Sequence, residues 1–80
     1  MFYMYILKSE KTDSYYIGSS QDLDNRVEEH NSGKSVSTRG KRPWKLVYSE
    51  SYKTLSGARK REMEVKSWKI RKMIDYLIQK

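Results

Sequence analysis

Two tyrosines on adjoining strands, an arginine and a histidine one helical turn apart, and a glutamate in a later basic helix are the residues of this chain suited to chemistry. Tyr5 falls in the aromatic run Tyr3, Met4, Tyr5, Ile6, Leu7, and Tyr16 in Tyr15, Tyr16, Ile17, Gly18. A free phenol titrates near pH ~10, so a tyrosine acting as a base near neutrality needs a cation beside it. Arg26 can supply that cation, and His30, on the same helix face, a second proton carrier. Arg also binds two phosphate oxygens at once through its planar fork. Glu62, flanked by Arg59, Lys60, Arg61 and Lys66, is a carboxylate in a positive field, placed to hold Mg²⁺ or Mn²⁺ through oxygen. These types in this order suggest phosphodiester chemistry. Each also has a plainer reading. Strand tyrosines are commonly half-buried packing groups, Arg26 beside Glu29 can be a solvated charge, and Glu62 can be the i, i+4 partner of Lys66, worth a few tenths of a kcal/mol.

The elements that must position them follow from pattern. Phe2 to Ser9 reads as a strand with Phe2, Met4 and Ile6 on one face and Tyr3, Tyr5 and Leu7 on the other. Glu10 to Ser14 is a polar turn, and Tyr15 to Gly18 returns as an antiparallel partner, Tyr16 and Gly18 facing away from Tyr15 and Ile17. Ser19 and Asp22 fit a Ser-x-x-Asp helix start. The helix spans about Gln21 to His30, docks Leu23 and Val27, and stops at Asn31, Ser32 and Gly33. Lys34 to Arg42 offers only Val36 to bury and reads as an exposed loop. Trp44 to Glu50 alternates Trp44, Leu46, Tyr48 against Lys45, Val47, Ser49, a third strand that Tyr52 can extend. From Leu55 to Ile78 the period becomes helical, with Ser56 or Thr54 as cap and Ala58, Glu62, Val65 and Lys69 on one line. Trp68, Ile70, Ile74, Leu77 and Ile78 leave that stripe, so two helices are expected, with a bend near Ser67 to Lys69. The order is β, β, α, β, α, α, a single α+β domain over residues 1–80.

Composition bounds the function. Eighty residues allow one thin core, and 36% hydrophobic content with ten aromatics makes it a folded one. No cysteine and a single histidine exclude disulfides, Cys-ligated zinc and multi-His metal sites. The apolar runs are too short to span a bilayer and no signal-peptide core is present, so a cytoplasmic protein is expected. A net charge of +7 favours a polyanionic partner, nucleic acid above all. Lys34, Arg39, Lys41, Arg42, Lys66 and Lys69 belong to a basic set, with Lys45, Lys60, Arg61, Arg71 and Lys72, large enough to contact backbone phosphates with little sequence information. Trp44 and Trp68 can stack on bases or serve the core.

Taken together these residues resemble the GIY-YIG nuclease domain, in particular its small standalone bacterial members. The same domain forms the N-terminal domain of an excision-repair endonuclease and the catalytic domain of homing endonucleases. Tyr3, Met4, Tyr5 and Tyr16, Ile17, Gly18 stand at the two name motifs. Asp22, Leu23, Arg26, His30, Asn31, Ser32 and Gly33 look like the first helix and its exit. Thr38 to Pro43 with Leu46, Val47, Tyr48 look like the approach to the third strand. Ala58, Lys60, Arg61, Glu62, Glu64, Val65, Lys66 and Trp68 look like the segment with the metal-binding glutamate.

The resemblance implies a three-stranded antiparallel sheet flanked by helices, and a shallow site that cuts DNA with one divalent metal, Mg²⁺ or Mn²⁺. It implies Tyr16 as general base, Tyr5 orienting water or sharing the proton, and Arg26 stabilising the transition state and lowering the phenol pKa. His30 stands near the attacking or leaving oxygen, and Glu62 holds the metal. Four positions depart from the pattern. Tyr3 and Met4 replace Gly and Ile, Ser19 stands where some relatives carry Lys, and Lys69 stands where relatives often have a small residue. No DNA-recognition domain is attached, so cutting with low sequence specificity, in DNA repair or processing, is the expectation. The alternatives are a nucleic-acid-binding module of the same fold with weak or no turnover, and a small structural partner docking an acidic protein.

Overall fold

Both faces of the first strand are apolar, which fits a strand with neighbours on either side and helices above and below. In the structure, a computed structural model describing residues 1–68 and 70–79, that strand is β1 (Phe2–Ser9). It is the middle of a three-stranded antiparallel sheet ordered β2-β1-β3, with β2 at Tyr15–Ser20 and β3 at Trp44–Tyr52. Met4, Tyr5, Ile6 and Leu7 are all buried, alternating between two separate clusters. The α+β class and the element order expected from sequence hold, with one short helix added.

On one face Met4, Ile6 and Ile17 pack against Val65, Ile74 and Leu77 from helices α3 (Leu55–Lys66) and α4 (Arg71–Ile78). Each fully buried aliphatic side chain there contributes about 1.5–3 kcal/mol. Thr54 caps α3 by accepting from the Gly57 N–H at 3.1 Å. Two polar clamps tie this layer down. Glu50 accepts from Tyr48 Oη (2.5 Å), Tyr52 Oη (2.6 Å) and Arg61 Nε (3.0 Å), and Tyr15 donates to Asp75 while Arg71 lies over its ring at 4.4 Å. Among the described residues no helix is long and apolar enough to cross a membrane.

On the other face Tyr5, Leu7 and Trp44 are covered by Leu23 and Val27 of α1 (Leu23–Ser32). Asp22, not Ser19, begins that helix, accepting from the Asn25 N–H at 3.1 Å, and Gly33 ends it with φ 87°, a left-handed turn that glycine adopts freely.

Three readings change. The alternation expected along β3 is broken: Ile6 pairs with Tyr48 but Leu7 with Leu46, so Val47 is an extra residue in a bulge. Trp44 therefore packs with Leu7, whereas Val47 and Tyr48 both turn to the α3 side. The expected loop contains α2 (Val36–Arg39), whose buried residue is Thr38, while Val36 is exposed. The helix expected to end at His30 runs on to Ser32. Lys69, read from sequence as a phosphate contact on the inner line of the last helices, lies outside the described residues.

Candidate active site

The register of the hairpin explains the glycine of the second motif. Gly18 lies opposite Tyr5, and the Tyr5 ring crosses β2 directly over it. A Cβ on Gly18 would stand 2.7 Å from the Tyr5 hydroxyl and 2.8 Å from its Cζ, closer than real carbon contacts. Any larger residue would push the phenol off the strand. Tyr16, on the same face one pair further along, lies with its ring centroid 6.4 Å from that of Tyr5.

His30 brings the two phenols into one group. Its Nε2 is 3.1 Å from Tyr5 Oη, and its ring centroid is 4.7 Å from that of Tyr16, which in turn meets Trp44 edge-on at 6.2 Å. The imidazole is fully buried. Its other nitrogen, Nδ1, is 2.8 Å from Thr38 Oγ1, and the Thr38 carbonyl accepts from Trp44 Nε1 at 2.8 Å. α2 thus serves as the back wall of the site, a role that sequence periodicity could not reveal because its inward residue is polar and its apolar one faces out. Trp44 is structural, as one of its two sequence readings held. Asn31 fixes the same corner: its side chain accepts from the Trp44 N–H (2.6 Å) and donates to the Trp44 carbonyl (2.9 Å).

Arg26 is one turn before His30 on α1, half-buried and paired with Glu29 at 3.0 Å. Its charge acts on both neighbours. Burial raises the Tyr5 pKa above the ordinary 10.0, and Arg26 opposes this without overcoming it, so Tyr5 keeps its proton. Burial, reinforced by Arg26, holds His30 below the usual 6.5, while Glu29 pulls weakly the other way. His30 is therefore neutral at pH 7.

Glu62 approaches from the opposite layer, at the edge of β2. Ser19, in phase with Ile17, donates to Glu62 Oε1 at 2.7 Å, and Lys66 Nζ holds Oε2 at 2.6 Å. The plainer reading of Glu62 is thus realised, and the carboxylate is also near enough to contribute to the raised pKa of Tyr5. Ser19, read in the sequence as a helix start and as the place of a missing lysine, instead orients this carboxylate, and Lys66 brings a cation to the same place. Among the described residues no group of three or more His, Cys, Asp or Glu side chains could hold a metal ion. A single carboxylate fits a hard cation that keeps several waters and takes further oxygens from a phosphate.

Four further basic residues gather in one place. Lys34, Arg39, Lys41 and Arg42 are all exposed on and around α2. Arg42 folds back over Gly33 and donates from Nε to the Arg39 carbonyl at 2.8 Å.

A three-stranded antiparallel sheet flanked by helices is the fold that the resemblance to a GIY-YIG domain implied, and it brings paired tyrosines, a glycine, an Arg and a His together. The family model for the GIY-YIG catalytic domain matches residues 1–74, and the chain belongs to that family. It is similar to the UPF0213 protein of Staphylococcus saprophyticus, 40% identical over 73 residues, covering 90% of this chain and 88% of the relative. The UPF0213 protein of Staphylococcus aureus strain Mu3 is 43% identical over 67 residues, covering 82% of this chain and 80% of the relative. The solution NMR structure of the UPF0213 protein from Bacillus halodurans superposes with a TM-score of 0.60 at 35% identity, covering 100% of this chain and 86% of that one.

Proposed function

We propose that residues 1–80 form one nuclease unit that hydrolyses DNA phosphodiester bonds with low sequence specificity, using a divalent metal, Mg²⁺ or Mn²⁺. The observation that supports it most is the convergence of Tyr5, Tyr16, Arg26 and His30 in one contact group, with Glu62 at the adjoining edge of β2. In this reading Tyr16, the less buried phenol, is the general base that takes the proton of the attacking water. Tyr5, which keeps its proton, orients that water or the phosphate oxygen. Arg26 stabilises the charge that grows on the phosphorus oxygens. His30 holds Tyr5 in place near the attacking or leaving oxygen. Glu62 would hold the metal, which when bound neutralises the scissile phosphate and the departing 3′ oxygen. Lys66 supplies the cation that Ser19 lacks. Lys34, Arg39, Lys41 and Arg42, around α2, anchor the DNA backbone, and the activity serves DNA repair or processing in the cytoplasm.

The test is incubation of the protein with nicked, branched and single-stranded DNA in Mg²⁺ or Mn²⁺. Products from the wild type and none from Glu62→Ala are expected; no wild-type cleavage, or equal cleavage by both, ends the reading. One observation favours the rival, a binding module without turnover: both Glu62 oxygens already have protein partners. Salt-sensitive DNA binding without products, unchanged in Tyr16→Phe, would select it.

A further inference from the structure

Thr38 is the least expected member of the site: a fully buried polar side chain in a segment that reads as an exposed basic loop. The proton inventory around His30 gives it a specific task. Tyr5 carries its hydroxyl proton at neutral pH. Among the described residues two side chains are hydrogen-bonding neighbours of its oxygen, Arg26 and His30. The guanidinium can only donate, so the Tyr5 proton has one acceptor among them, His30 Nε2 at 3.1 Å. For Nε2 to accept, the neutral imidazole must carry its proton on Nδ1. That N–H then donates to Thr38 Oγ1 at 2.8 Å, and the Thr38 hydroxyl proton is left for the Ser35 carbonyl at 3.4 Å. Every proton in the chain Tyr5, His30, Thr38, Ser35 has an acceptor in this direction. In the reverse direction Tyr5 would face two donors, Nε2–H and Arg26, with its own proton unplaced, a costly arrangement for a buried hydroxyl.

We propose that Thr38 is a positioning residue that fixes His30 as the Nδ1–H tautomer and so commits the Tyr5 hydroxyl proton to His30 Nε2. The Tyr5 lone pairs are then left to Arg26 and to whatever binds at the site. Thr38 is itself held from two sides, by the Trp44 indole on its carbonyl and by the turn that begins at Ser35. The second-layer hydrogen bond thus decides which nitrogen is active, as it does for imidazoles generally. The consequence for catalysis rests on the nuclease reading above; the proton arrangement does not.

The chain has one histidine, so the tautomer can be read without assignment ambiguity. Long-range ¹H–¹⁵N correlation of the labelled full chain, above the imidazole's ordinary titration midpoint of about 6.5, should show Nδ1 protonated and Nε2 bare. Thr38→Ser should keep that pattern. Thr38→Val should move population to the Nε2–H form while the backbone amide spectrum stays that of the folded protein. If Thr38→Val does not fold, Thr38→Ala carries the same expectation. An Nε2–H tautomer or an imidazolium in the wild type overturns the proposal, as does a folded Thr38→Val or Thr38→Ala with the wild-type tautomer, or Thr38→Ser behaving like Thr38→Val. In the DNA cleavage assay, kcat should fall about tenfold in Thr38→Val and recover in Thr38→Ser, with KM steady, as for a misplaced reacting group. Absent wild-type cleavage removes the nuclease reading and leaves the tautomer result standing. Intact cleavage with the wrong tautomer removes only this proposal.

Discussion

The two faces of the sheet are built from the same central strand and solve different problems. Toward α3 and α4, Met4, Ile6 and Ile17 meet Val65, Ile74 and Leu77, side chains with no polar atom beyond the Met thioether, and polar groups enter at the rim, through Glu50, Tyr15 and the Ser19–Glu62 pair. Toward α1 and α2, Tyr5, Tyr16, His30, Thr38 and Trp44 fill the space with rings joined by hydrogen bonds. Apolar packing is non-directional and tolerates small shifts; a hydrogen-bonded interior fixes orientation and is costly when one member is lost. The first face supplies stability, and the second spends part of its burial on placing protons.

That contrast can be broken most forcefully on the apolar side. Ile6→Ala should cost about 2–5 kcal/mol by denaturant unfolding, a large share of what so small a domain possesses. Next comes Arg26→Ala, expected to lower DNA cleavage by about 10²–10³-fold, about 2.7–4 kcal/mol of transition-state stabilisation. Its unfolding midpoint should move much less than that of Ile6→Ala, because the half-exposed pair with Glu29 is worth at most about 1 kcal/mol and Tyr5 keeps His30 as a hydrogen-bond partner. If Arg26→Ala unfolds the protein as Ile6→Ala does, the division of labour between the faces fails. Gly18→Ala probes both at once. The new methyl meets the Tyr5 hydroxyl at 2.7 Å, so about 1–3 kcal/mol of stability and a displaced phenol should appear together, the latter as a changed His30 resonance.

The smallest effects are in acid, and there the faces should separate by pH. His30 is held below 6.5 by burial and by Arg26, so the unfolded chain binds a proton before the folded one. Its contribution is complete above about pH 6.5 and declines as the pH falls from there toward the folded pKa. On the other face burial pushes Glu50 up, but the bonds from Tyr48, Tyr52 and Arg61 outweigh it and hold the carboxyl below 4.5. Tyr52 is pushed up to about 12 by burial and by the same carboxylate. Glu50's contribution is present above about pH 4.5 and lost as the pH falls through its folded value. Urea midpoints followed from neutral pH downward should decline in two stages, and Glu50→Gln should remove the second alone. A single stage that vanishes with Glu50→Gln would place no titrating group in the tyrosine face.

The apolar layer was the more legible of the two. Strand alternation assigned Met4, Ile6 and Ile17, and helical spacing assigned Ala58 and Val65, since hydrophobic period carries that information directly. The sequence also supplied Tyr5, Tyr16, Arg26 and His30, which the fold brings together. It was silent where the partner is polar and distant. Thr38 has no periodic signal, and its reason for burial is a histidine eight residues back. Ser19 reads as a lost lysine until Glu62 is found beside it, 43 residues later. The bulge at Val47 left no mark either, because Val, Leu and Tyr suit either face of a strand, so the alternation expected from Trp44 to Tyr48 failed at that residue.

Asn31 carries a last consequence. With the order β2-β1-β3, the outer side of β3 has no strand beside it among the described residues, and an open ladder is an invitation to another chain. At Trp44 the carboxamide of Asn31 presents one acceptor and one donor, as a neighbouring peptide would, and closes that rung from the end of α1. A side chain thus impersonates a fourth strand for a single residue, sealing the sheet at the corner where the indole of the tyrosine face is anchored.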